Sequence, residues 1–565
     1  MNKKKVASKV LLLFILFLIV AVLTFSLDYK DFTFWLLNLY NKTDKLAFFR
    51  QNLLTENRFL VLQVIFLGGY TALSAFIFWK VKYLKKWRTF IKNSIQSHCI
   101  HFSKKIISVW QNLSTFEKIV LFVPLVIYIS FWWIYGWHKD EIFSYTFLVD
   151  RGILVCATYY PGPNNHIAFL LCAAILNKIF SLFQTNNGSL LHFICLKLPA
   201  TLAATFSLWA IWLFFYRKNQ KVLGWLCFAS MIFYNGFFFY AAHGRGYSWV
   251  VFLFLLSCYT VFKISYNSKR KYWFLWSFCM ILGCYTVPTF IYVWFGSLMG
   301  LWVLGTNQIH KVSFIVSFFS GLIVLFLYSP ILIFNGLSAI ISNPWVVPLS
   351  FEKWIQEFPS FLWETHGRIG VLAFLSSVAL FLYKKEYRKV VIYFWCIAYA
   401  PYIVIFFQKV LPFERVFLYR QITEVLMVCF VISIFSENIK ITYFYKKILH
   451  SILIILFTFF GSYRVYSEYY RYKIETNVYH FAEPLAEKIY HKKPISVLVL
   501  EDTYNVFLRY YFRNSDTKIE VLPSENTSYQ IIILPKQKSF PFSKKDSLNY
   551  SIFYEDDFVK GFEER

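Results

Sequence analysis

Apolar runs of about 20 residues recur along the 565-residue chain, divided by short polar loops, and each can cross a hydrocarbon core of about 30 Å. Charged residues make up 16% of the chain and hydrophobic ones 58%. A soluble protein would carry about 25% charged residues. The pattern is that of an all-α polytopic membrane protein with about 13 transmembrane helices. The expected spans are 6–26, 59–80, 118–136, 190–215, 222–241, 245–266, 272–286, 287–305, 312–334, 369–383, 390–408, 418–436 and 447–464. The first run follows Lys3, Lys4 and Lys5 and lacks a small-residue cleavage site, so it is expected to be retained as a span.

A net charge of +28 invites a nucleic-acid reading, but the basic residues alternate between loops and form no continuous face. The partners expected are membrane lipids rather than nucleic acid. The ten cysteines sit mostly inside apolar runs, without CxxC or metal spacing, and read as small buried hydrophobes.

Sidedness follows from charge. The stretch holding Lys80, Lys82, Lys85, Lys86, Arg88, Lys92, Lys104 and Lys105 has no intervening acid and is expected on the cytoplasmic side. The basic loops at Arg217 to Lys221, Lys269 to Lys271, Lys384 to Lys389 and Lys440 to Lys447 fall on the same side if the apolar stretch 166–184 does not cross. That stretch is expected to lie along the outer surface or to dip in and return. His138–His166, Gly244–Tyr247, Tyr285–Pro288 and loops 335–368 and 411–420 then share the outer face. So does the tail, where Ile495–Leu500, Lys518–Leu522 and Tyr529–Leu534 read as strands of a small extracytoplasmic α/β domain. The expected organisation is an N-terminal two-helix module with a basic linker (1–117), a transmembrane domain (118–466) and the small soluble domain (467–565).

Trp137-His138-Lys139-Asp140-Glu141 places adjacent carboxylates beyond a helix end rich in tryptophan. Shielding by aromatics can raise a carboxyl pKa and suit it to accept a proton from a hydroxyl nucleophile. An N-cap for a helix at 142–154 is the plainer alternative. Tyr159-Tyr160-Pro161-Gly162-Pro163-Asn164-Asn165-His166 forces a turn and sets amides and an imidazole at a helix start, where free N–H groups favour an anion. Lys197 opens one span, and Gly244-Arg245-Gly246-Tyr247-Ser248 opens another. Cations on an outer face suit an anionic ligand, with snorkelling to lipid phosphates as the alternative. Glu414, Arg415 and Arg420 invite the same reading, with a Glu–Arg pair as alternative. In loop 335–368, Trp345, Trp354 and Trp363 with Glu352, Glu357 and Glu364 suggest an interfacial amphipathic flap or an aromatic belt.

Taken in order, Asp140-Glu141, Asn165-His166, Lys197-Leu198-Pro199 and Gly244-Arg245-Gly246-Tyr247-Ser248 resemble bacterial membrane glycosyltransferases of the GT-C fold. The resemblance is closest to glycosyltransferase family 39, the branch of protein O-mannosyltransferases and the lipid A aminoarabinose transferase, and covers roughly residues 118–420. Asn164-Asn165-His166-Ile167 lacks the family's usual prolines, and Lys197 stands where an arginine is usual.

The resemblance implies a polyprenyl-phosphate-sugar donor and a lipid, glycan or protein acceptor, with inverting transfer on the outer face of a bacterial cytoplasmic membrane. Asp140 would act as general base and Glu141 would orient the acceptor or polarise Asp140. Asn165, His166, Lys197, Arg245, Tyr247, Arg415 and Arg420 would bind the donor and its phosphate. No cofactor is firmly implied, although a divalent metal is compatible with the chemistry. The alternatives are a lipid-linked glycan polymerase or ligase, and a flippase or transporter. Charged residues scarce within spans and gathered at one surface favour interfacial chemistry over passage across the membrane.

Overall fold

The computed structural model describes residues 28–38, 46–61, 63–64, 108–160, 165–182, 188–217, 220–232, 234–335, 338–341, 346–438, scattered positions between 451 and 470, and 478–523, 528–538, 541 and 549–564. The chain divides into two compact units. One comprises Met1–Val120, Thr158–Pro163 and Leu325–Asn343, and the other Leu121–Ala157, Asn164–Val324 and Pro344–Arg565. In the first unit, Tyr29 donates to the Leu54 carbonyl at 2.6 Å and Arg50 Nε to Thr33 Oγ1 at 2.8 Å. These bonds tie helix Tyr29–Asn38 to the turn that follows it.

The described chain is mostly helical. Among the described residues, seven helices are long and apolar enough to cross a membrane: Thr115–Tyr135, Leu190–Tyr216, Tyr247–Tyr266, Asn307–Leu332, Phe351–Tyr383, Lys385–Gln408 and Glu414–Phe435. An eighth is reached if Leu223–Ile232 and Gly236–Ala242, bent by 69°, count as one broken span. These helices are consistent with an integral membrane protein, since a helix satisfies its own backbone where no water is present.

The figure of about 13 spans is not reached among the described residues. Run 6–26 and most of 59–80 and 447–464 lie outside them, as do the basic linker, the 440–447 loop, the 161–164 turn and Trp345. The run 272–286 forms Arg270–Thr286 and the run 287–305 forms Pro288–Leu304, each only 17 residues long. At 1.5 Å per residue each reaches about 25 Å, short of the hydrocarbon thickness. Ile167–Ser181, the stretch expected not to cross, has 15 residues.

Loop 335–368 is corrected more sharply. From Phe351 the chain is helical through to Tyr383, broken at Gly367 with φ 55° and ψ −159°, a conformation open to glycine alone. Trp354 and Trp363, two of the tryptophans that suggested a flap, ride on this helix. Trp354 packs against Phe358 and Phe406 while Trp363 faces outward.

Helices of the second unit close on one another around Phe254, Trp276, Tyr393, Ile397, Phe417 and Tyr419. Gly296 and Gly300, four apart on one helix face, admit helix Arg388–Tyr399. A Cβ at Gly300 would overlap the Tyr393 ring, and one at Gly296 would stand 3.0 Å from the Cys396 carbonyl. Small residues at this spacing allow close helix approach where lipid offers no hydrophobic drive.

The C-terminal sheet has the order β2-β1-β3-β5-β4, with β1 Ser496–Val499, β2 Lys518–Glu520, β3 Ile531–Pro535, β4 Tyr550–Glu555 and β5 Val559–Glu564. The first three strands are parallel and fall on the runs expected from sequence. β5 adds antiparallel on β3 and β4 antiparallel on β5, and neither was expected. Val497, Leu498, Ile532 and Ile533 are buried on both faces, as parallel strands require. Helices Val478–Lys492 and Asp502–Tyr511 pack on each other.

Candidate active site

His138 is the N-cap of helix Lys139–Ser144. Its imidazole accepts the Asp140 amide at 3.2 Å, and the Glu141 carboxylate takes the His138 amide at 2.9 Å. This is a capping box with histidine in the place of serine or threonine. The helix therefore starts three residues earlier than the alternative reading placed it, with both carboxylates in its first turn.

That geometry sends the two acids in different directions. Glu141 is fully buried. It accepts the Gly244 amide and pairs with Lys197 Nζ at 3.2 Å. Lys197 also donates to the Ala242 carbonyl at 3.4 Å and sits 4.6 Å above the Phe193 ring. Burial would raise the Glu141 pKa, but Lys197, His243 and the two amides outweigh it and hold the group ionised, below its ordinary value. Asp140 instead keeps 41% of its side chain exposed and lies 3.5 Å from Arg245 Nη2.

The aromatic shielding read from sequence would raise the Asp140 pKa, whereas the direction is downward. Burial pushes it up, yet Arg245, His138, Arg415 and Lys139 together push harder. The tertiary fold brings Arg245 and Arg415, both far away in sequence, to this carboxylate beside its chain neighbours His138 and Lys139.

Gly244 and Gly246 explain how Arg245 reaches it. A Cβ on Gly244 would stand 2.8 Å from Leu196 Cβ and 3.2 Å from the Glu141 carboxylate, and one on Gly246 would meet the His166 ring at 2.8 Å. Both flanking positions are pressed against neighbouring chain, so only glycine fits, and the arginine between them is aimed at Asp140.

His166 caps helix Ile167–Ser181 and is buried with its ring edge-on to Tyr247 at 4.6 Å. Neither ring nitrogen has a hydrogen-bond partner among the described residues. Burial, then Arg245 and Arg415, holds its pKa well below the ordinary histidine value, so the imidazole is neutral. Asn165 is buried directly before it. Arg415 lies 4.4 Å over the Phe413 ring and is within electrostatic reach of Tyr247, Asp140 and His166.

Arg420 belongs to a different group. Fully buried, it approaches Glu424 at 3.5 Å and stacks over Phe417 and Tyr402 at 5.0 and 5.3 Å. Glu424 is bonded to His366, whose other ring nitrogen meets the Tyr402 hydroxyl at 2.8 Å. Glu414 accepts from Gln421 at 2.6 Å. The Glu–Arg pair anticipated here exists, with Glu424 in place of Glu414. Sequence reading passed over Glu424 and His366, although a carboxylate four residues after Arg420 inside a span is itself a pairing signal.

The structure thus assembles Asp140, Arg245, His166, Tyr247 and Arg415 around one partly open carboxylate, with Glu141 and Lys197 beneath as its buried support. The assembly can offer an ionised acceptor for a hydroxyl proton next to two guanidinium groups able to meet an oxyanion. Among the described residues no three His, Cys, Asp or Glu side chains form a metal-holding group. No protein-family model matches the chain, and no curated protein gives a significant match.

Proposed function

We propose that this chain is an integral membrane glycosyltransferase of the GT-C type, transferring a sugar from a polyprenyl-phosphate donor to a lipid, glycan or protein acceptor. The observation that carries the reading is Asp140, partly open to solvent and 3.5 Å from Arg245, with Arg415 and neutral His166 at its back. In this reading the acceptor hydroxyl oxygen attacks the anomeric carbon while the bond from that carbon to the phosphate oxygen breaks. The hydroxyl proton passes to Asp140. The departing phosphate keeps the bonding pair, and its charge is met by Arg245 and Arg415. One direct displacement inverts the anomeric centre.

A carboxylate held below its ordinary pKa is a weak base, which suits proton transfer late in the displacement, when the attacking oxygen has become acidic. Glu141 and Lys197 act in this scheme as a fixed base plate rather than as groups that touch substrate. In this reading transfer takes place on the extracytoplasmic face, the side expected from the positive-inside rule.

The test is a glycan profile by mass spectrometry of a deletion strain complemented with wild type or Asp140→Asn at matched membrane abundance. Restoration of a missing sugar by wild type alone supports the reading. Equal rescue by both forms removes Asp140 from the chemistry. A deletion that leaves every glycan unchanged removes the transferase reading.

A further inference from the structure

Helix Lys139–Ser144 and the π-helical turn Tyr145–Val149 that continues it make eleven residues, still too few to persist without outside support, since short helices do not recover the cost of nucleation. Its capping box secures one end. Glu141 ties it to Lys197 and to the Gly244 amide, and the C-terminal domain adds further support, its helix Asp502–Tyr511 packing directly against it. Asp502 accepts from Lys139 Nζ at 2.5 Å. Tyr510 is buried among Trp137 at 5.6 Å, Tyr145 at 5.9 Å and His192 at 6.3 Å. Its hydroxyl lies 3.4 Å from His192 Nδ1, which Arg513 Nη2 approaches at 3.3 Å. Trp137 precedes the helix and Tyr145 follows it, so one side chain of the domain grips both ends of the segment that carries Asp140.

We propose that the C-terminal domain is a positioning element of the site, in which Tyr510, with Asp502 at the rim, clamps helix Lys139–Ser144 and holds Asp140 at its distance from Arg245. Tyr510 supplies most of the grip because it is buried. The Lys139–Asp502 pair adds little, since Asp502 is 76% exposed and surface pairs are screened. The functional half of this inference rests on the transferase reading above, and the structural half stands without it.

The experiment compares full-length wild type, Tyr510→Ala and Tyr510→Phe in lipid nanodiscs by hydrogen–deuterium exchange. It adds transfer rates with a total polyprenyl-lipid extract of the host membrane as donor. Tyr510→Ala should speed exchange at the amides of Glu141, Ile142 and Tyr145 about tenfold, with strands β1 and β3 still protected. It should also lower the maximal transfer rate more than it raises the apparent KM for the extract. Tyr510→Phe keeps the ring packing and should restore both readouts.

Unchanged exchange at those three amides in Tyr510→Ala overturns the proposal, as does faster exchange there with an unaltered transfer rate. If Tyr510→Ala also deprotects β1 and β3, Tyr510→Leu, which keeps an apolar side chain in the domain but loses the ring contacts with Trp137 and Tyr145, replaces it. Faster exchange at the same three amides in that variant supports the clamp, and no change there overturns it. The exchange arm involves no transfer chemistry, so it decides the clamp even where Asp140→Asn proves fully active and the transferase reading falls.

Discussion

Glu141 and Lys197 form a fully buried ion pair 3.2 Å apart, and the same carboxylate also takes the Gly244 and His138 amides. One side chain thereby joins helix Lys139–Ser144 to the Leu190–Tyr216 span and to the turn that carries Arg245. Removing one partner strands the other charge in the interior. Glu141→Gln is expected to destabilise the folded protein by about 3–5 kcal/mol, read as a fall in the detergent melting temperature. Glu141→Gln combined with Lys197→Met should recover much of that loss, because no unpaired charge remains. Equal stability of single and double variants would contradict the pairing.

The glycines around Arg245 give a second expectation. Gly246→Ala puts a methyl group 2.8 Å from the His166 ring, and Gly244→Ala another 2.8 Å from Leu196 Cβ. Both should lower stability by about 1–3 kcal/mol, as overpacking does, and lower transfer with it. Gly321→Ala has nothing within 4 Å and lies in a helix, so it should be neutral or stabilising by up to about 1 kcal/mol. Melting curves of the three variants at matched expression check the ranking.

Acidification should destabilise the fold in two windows. His166 is held well below its ordinary 6.5, and burial brings His243 down to about 3. The unfolded chain therefore binds more protons than the folded one below pH 6.5, and stability falls as pH drops from there. Each histidine contributes a slope of up to about 1.4 kcal/mol per pH unit. Glu141, held below its ordinary 4.5, adds loss of the same sign only at more acidic pH. Between pH 6.5 and 5, His243→Gln should flatten the profile by about one proton. Melting temperature against pH for the two proteins is the measurement, and parallel profiles would count against a neutral buried His243.

The two arginines of the 411–420 segment should behave differently. Arg415 lies within reach of Asp140 and His166, so Arg415→Ala should raise the apparent KM for lipid-linked donor about 10- to 100-fold with stability little changed. Arg420→Gln should instead lower stability, since it leaves Glu424 buried beside His366 without its cation. Donor titrations and melting curves on both variants separate the roles, and interchangeable effects would argue that both face one ligand.

The sequence alone determined the features that depend on nearest neighbours along the chain. Long apolar runs such as 190–215 and 245–266 become helices because each satisfies its own backbone, and β1 and β3 fall on apolar runs. Asp140, Glu141, His166 and Arg245 stood out as polar groups at helix ends, while Lys197, read as opening a span, lies inside helix Gly188–Arg217, and the fold does gather them. Tertiary structure alone decided what each of them does. Adjacent carboxylates differ because Glu141 is turned onto Lys197, 56 residues away, while Asp140 meets Arg245, 105 residues away. Arg415 and Arg420, five positions apart, part company because the helix turns them toward different neighbours. The helix from Phe351, hidden by its charges and Pro359, forms because Trp354 and Phe361 find aromatic partners in other segments. Pairing of charges and rings depends on distances in space, which the order of residues along a chain does not contain.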